Sequence, residues 1–88
     1  LNPEDPAILD SLGWANYRLG NLAAAEKWLR QAFERFPDHE VAAHLGEALW
    51  AQGKQREARK IWRDALKEQP ESEILRSTVL RLTGSEKP

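Results

Sequence analysis

The sequence predicts an all-α fold of two helix-turn-helix units followed by a C-terminal capping helix. Three observations carry this. A shift of 33 residues brings two segments into register. Apolar residues recur at three- and four-residue steps, and no stretch alternates at period two. Across the shift Leu12 meets Leu45, Gly13 meets Gly46, Ala15 meets Ala48 and Gly20 meets Gly53. Ala25 meets Ala58, Lys27 meets Lys60, Arg30 meets Arg63, Ala32 meets Ala65 and Pro37 meets Pro70. The units therefore run over residues 6–38 and 39–71, with residues 72–84 as the cap and 85–88 as a frayed tail.

Each helix has its own start, stripe and stop. Asp5 is placed to cap the first, and Pro6 suits its first turn. Ile8, Leu9, Leu12, Ala15 and Leu19 form its apolar stripe, and Gly20 ends it through a left-handed backbone. Asn21 is placed to cap the second, whose stripe is Leu22, Ala25, Trp28, Leu29, Ala32 and Phe33 before Pro37. Asp38 then precedes Val41, Ala42, Leu45, Ala48 and Leu49, which run to Gly53. Ala58, Ile61, Trp62, Ala65 and Leu66 follow and end at Pro70. The fifth helix begins near Ser72, carries Ile74, Leu75, Val79, Leu80 and Leu82, and stops at Gly84. Ala25, Ala32, Ala58 and Ala65 are expected to be inaccessible, with Leu12, Leu45, Leu29 and Trp62 packed around them.

Composition removes several function classes. Thirteen basic against fourteen acidic residues leave a charge of −1, so there is no surplus to hold a nucleic-acid backbone or an anionic membrane. The absence of cysteine removes disulfides, thiolate metal sites and cysteine nucleophiles. No apolar run approaches the ~20 residues of a membrane helix, so direct membrane insertion is not expected. His39 and His44 are five residues apart and point about 140° from each other on a helix, so they make no metal pair. No metal site and no cofactor is expected. Ser11, Ser72, Ser77 and Ser85 have no paired base at useful spacing, and Gly20 and Gly53 are helix terminators rather than a phosphate loop. Lys54, Arg56, Arg59, Lys60 and Arg63 interleave with Trp62 as in single-strand binders, but Glu57, Asp64 and Glu68 share the helix and Trp62 is a core position. A solvated outer face is the better reading.

The spacing resembles the tetratricopeptide repeat family, in which helix pairs of about 34 residues stack into a solenoid. The first unit carries Leu9, Leu12-Gly13, Ala25, Leu29, Ala32 and Pro37 of that pattern. The second carries Ala42, Leu45-Gly46, Ala58, Trp62, Ala65 and Pro70. Asn16 departs from it, standing where the family usually has Tyr or another apolar residue, and Tyr17 follows one place later. Residues 1–5, opening on Leu1-Asn2-Pro3 rather than methionine, resemble the tail of an earlier repeat and suggest a fragment of a longer array. The resemblance implies a right-handed solenoid and a non-catalytic scaffold or adaptor that binds a protein or peptide in its concave groove.

By the same resemblance, groove positions fall on Asp10, Trp14, Tyr17 and Arg18, then on Ala43, Glu47, Trp50 and Ala51. The cap adds Arg76 and Leu80. Trp14, Tyr17 and Trp50 stand out because the apolar stripe does not require all of them, and such aromatics beside Arg and Glu suit a binding hot spot. Asp10 and Trp14 stand where the family's carboxylate clamp has Lys and Asn, so chaperone C-terminal tails are unsuitable ligands. The alternative function is self-association through the first helix, on Ile8, Leu9 and Leu12. Residues 10–21 and 40–66 further resemble C-terminal repeats of bacterial scaffold lipoproteins, which implies a periplasmic or outer-membrane-associated parent; without that likeness the expectation is cytoplasmic.

Overall fold

The computed structural model describes residues 5–88, which form five helices and no strand. The expected repeat tail over Leu1-Asn2-Pro3 lies outside the described residues. The helices are α1 (Pro6–Arg18), α2 (Leu22–Arg35), α3 (His39–Ala51), α4 (Gln55–Glu68) and α5 (Glu73–Thr83). α1 packs on α2 and α3 on α4 as helix hairpins, α2 joins the hairpins through α3, and α5 lies across α3 and α4. Gly20 and Gly53 take φ of +85° and +83°, and those left-handed residues turn the chain between the helices of each pair.

Capping follows the sequence only in part. Asp5 accepts a hydrogen bond from the Ala7 amide at 2.8 Å, and Ser72 accepts one from Leu75 at 3.3 Å. Asn21 and Asp38 stand at the N-cap positions of α2 and α3 but make no capping bond. The Asn21 amide turns back to Asn16 at 3.4 Å, and Asp38 faces the His39 ring at 3.7 Å.

The core centres on α3, which has α1 and α2 on one side and α4 and α5 on the other. Val41, Ala42, Ala43 and all residues from 45 to 49 are consequently buried. Gly13 and Gly46 let the paired helices close. A methyl group at Gly46 would overlap the indole of Trp62, and one at Gly13 would overlap the side chain of Leu29. Ala25, Ala32 and Ala58 have no exposed surface, as the small-residue pattern requires. Ala65 departs from it: it is half-buried beside a cleft lined by Phe33, Pro37, His39 and Glu68. Leu12 departs further. It is 41% exposed while its repeat mate Leu45 is fully covered, because among the described residues α1 is packed from one side only.

α5 presents Leu75, Thr78 and Val79 inward, while Leu80 is exposed. Gly84 ends it at φ +83°. Beyond it Glu86 returns to Arg76 at 3.1 Å. Between the pairs, Glu26 of α2 accepts hydrogen bonds from Arg30, Gln52 and Lys54, each at 2.8 Å. Burial alone would push its carboxyl up, but those three donors outweigh burial and hold it at about 2.

Candidate functional site

α1 and α3 run side by side and together place one row of polar and aromatic side chains. Trp14 and Tyr17, one turn apart on α1, stack nearly parallel with ring centroids 4.7 Å apart. The His44 ring from α3 stacks on Trp14 at 4.1 Å. His44 Nδ1 lies 2.9 Å from Asp10 Oδ1, one turn before Trp14. Asp10, Ser11, Trp14, Arg18, Glu40 and His44 line an open depression of about 320 Å³ on this face.

The row continues into a three-helix polar link. Tyr17 donates its phenolic hydrogen to Glu47 of α3 at 2.9 Å. Arg81 of α5 grips the same carboxylate with two nitrogens, at 2.6 and 3.1 Å. Glu47 is only 5% exposed, so this fork-like pairing is what allows the charge to stay in the interior. Burial, then the hydrogen bond to Glu47 and the charge of Glu47, push the Tyr17 hydroxyl up to about 12, against the opposing charge of Arg81. The hydrogen bonds to Glu47 in turn raise the Arg81 guanidinium above its ordinary value.

The residues expected in the groove do not all meet here. Asp10, Trp14, Tyr17 and Glu47 are joined to this row through the contacts above, and Arg18 lines the depression beside it. Ala43 is fully buried, because α3 turns that position into the core, and it can present nothing to a partner. Trp50 makes its ring contacts with α4: its centroid is 5.7 Å from Trp62, and the Arg59 guanidinium lies 5.1 Å over it. Arg76 lies apart, paired with Glu86 in a depression shared with Glu73, Ile74 and Ser77.

Sequence reasoning missed His44, Glu40 and Arg81. Asp10 and His44 are 34 residues apart, as are Glu47 and Arg81. A search for polar pairs one residue beyond the 33-residue register would have found both. His39 and His44 do not pair, but Asp10, Glu40 and His44 bring ligand atoms within 4.8 Å of one another.

Two chemical readings take on a definite form. The expectation that no serine has a base nearby is corrected: His39 Nδ1 and Ser72 Oγ are 2.5 Å apart. Ser72 is 7% exposed and its oxygen also accepts the Leu75 amide, so the contact completes a helix cap. On α4, Arg56, Arg59, Lys60 and Arg63 share a shallow depression, but Trp62 has no exposed surface with which to stack a base. No helix among the described residues is long and apolar enough to cross a membrane.

Comparison with known proteins agrees with this architecture. Residues 17–79 match the tetratricopeptide repeat model. The chain is 68% identical over 88 residues to a TPR repeat-containing protein of Pseudomonas aeruginosa, covering all of this chain and 15% of that one. It is 37% identical over 81 residues to human tetratricopeptide repeat protein 7A, covering 91% of this chain and 9% of that one. It is 44% identical over 69 residues to the protein SULFUR DEFICIENCY-INDUCED 2 of Arabidopsis thaliana, covering 77% and 23%. The chain thus spans less than a quarter of each of these relatives. With the helix pairs, the small residues at their crossings and this match over most of its length, the chain belongs to the tetratricopeptide repeat family.

Proposed function

We propose that the chain is a non-catalytic adaptor module that receives a protein or peptide segment against the face shared by α1 and α3. Repeats of this family generally mediate protein–protein interaction. The observation that carries the assignment is the Trp14–Tyr17–His44 stack, which lies beside an open depression and is flanked by Asp10, Arg18 and Glu40. Stacked rings give contact area at low entropy cost, and mixed charge around them orients a polypeptide. The same mixed charge, with Trp62 buried beneath the basic face of α4, favours protein over nucleic acid.

Photo-crosslinking tests this. A crosslinker at Ser11 or Arg18 is expected to capture a protein partner, and one at Arg63 is not. Capture from Arg63 alone would overturn the assignment.

A second reading has its own observation. Of the residues expected to pair with a second copy, Leu9 is buried in the core and takes no part, but Leu12 on α1 is 41% exposed and Leu19 at its C-cap 76%, and a second copy could cover them. Sedimentation separates the two readings, since self-association gives a concentration-dependent mass and a partner groove alone does not.

A further inference from the structure

We propose that Asp10, Glu40 and His44 form a binding site for a divalent first-row transition metal at the seam between α1 and α3. Glu40 and His44 are four residues apart and share one face of α3, and Asp10 is brought to them by the packing of α1. Their ligand atoms all lie within 4.8 Å of one another. Asp10 Oδ1 and His44 Nδ1 are 2.9 Å apart. Two ligand atoms about 2.1 Å from a metal stand about 3.0 Å apart in octahedral and about 3.4 Å apart in tetrahedral coordination, so this pair has the spacing of neighbouring octahedral ligands and needs to open by about 0.5 Å for a tetrahedral ion.

Order and access both suit a bound ion. The stack on Trp14, 4.1 Å between centroids, holds the His44 ring in place. The Asp10 and His44 side chains are 17% and 13% exposed, which shields them from bulk water. Glu40 is exposed, has no hydrogen-bond or ion-pair partner among the described residues, and opens on the depression that gives an ion its entry path. One imidazole nitrogen and two carboxylates match zinc, cobalt or manganese better than copper(I), and leave positions for water. Arg18 lines the same depression and opposes a cation there, but the two carboxylates outnumber it. A metal held this way would tie α1 to α3 across the repeat boundary.

The inference goes beyond the partner groove, and its test needs no partner. The 88-residue chain is titrated calorimetrically with zinc chloride alone. One equivalent is expected to bind in the micromolar range, and saturating zinc should raise the thermal midpoint. Glu40→Gln and Asp10→Asn should each weaken binding at least tenfold. Glu40→Gln alters an exposed side chain and should leave the metal-free midpoint unchanged. His39→Asn removes the other histidine and should leave binding intact. The absence of saturable binding below a millimolar, parent-like affinity in Glu40→Gln and Asp10→Asn, or loss of binding in His39→Asn would each overturn the site.

Discussion

Glu47 is a carboxylate with 5% of its surface in water, and a charge so placed needs its partners. Arg81 and Tyr17 supply three hydrogen bonds to it, from different helices. Arg81→Ala would leave the carboxylate with Tyr17 alone and should destabilise the fold by about 2–3 kcal/mol, read as a lower urea midpoint with unchanged slope. Glu26 makes a pH-dependent prediction. Its folded value of about 2 lies below the ordinary 4.5, so its contribution is present above pH 4.5 and is lost as pH falls toward 2. Glu26→Gln should cost about 1–3 kcal/mol at pH 7, and the gap from the parent should close over that acid window. A gap that persists at pH 2 would contradict the assignment. These partnerships were not legible in the sequence. A 33-residue register marks equivalent positions, whereas Asp10–His44 and Glu47–Arg81 are contacts between neighbouring elements, set by how the helices are staggered.

At the scale of the helices the sequence was far more informative. Gly20, Gly53 and Gly84 all take left-handed backbone where the apolar stripes end, so turn chemistry and periodicity point to the same boundaries. Gly13 and Gly46 mark the helix crossings, because only a residue without a side chain admits Leu29 or Trp62 so closely. Gly46→Ala should force the Trp62 indole out of place and cost about 1–3 kcal/mol by overpacking, measured by thermal unfolding. Thermal stability equal to the parent would show that the crossing is looser than described. Leu12 and Ala65 were misjudged for a physical reason. The repeat pattern assigns them to a covered face, but cover depends on a neighbouring element on that side, and the stripe within a helix does not report it. Trp50 matches Tyr17 in register, but its ring packs toward α4.

For the whole molecule, two hairpins and a cap bury α3 and leave one composite face of α1 and α3 with aromatic and charged groups together. The fold class was readable from spacing and the family from the motif residues that resemble it; the extent of the working face was not, because its polar contacts, Asp10–His44, Tyr17–Glu47 and Arg81–Glu47, cross between units. The most direct measurement compares Trp14→Ala with Trp50→Ala. Partner crosslinking from Arg18 is scored in each, and circular dichroism confirms that both remain helical. Trp14→Ala is expected to weaken capture by about 1–3 kcal/mol, as truncation of a binding anchor does, while Trp50→Ala lowers stability and retains capture. Full capture by Trp14→Ala, with loss in a folded Trp50→Ala, would place the working surface on the α3–α4 side and contradict the account.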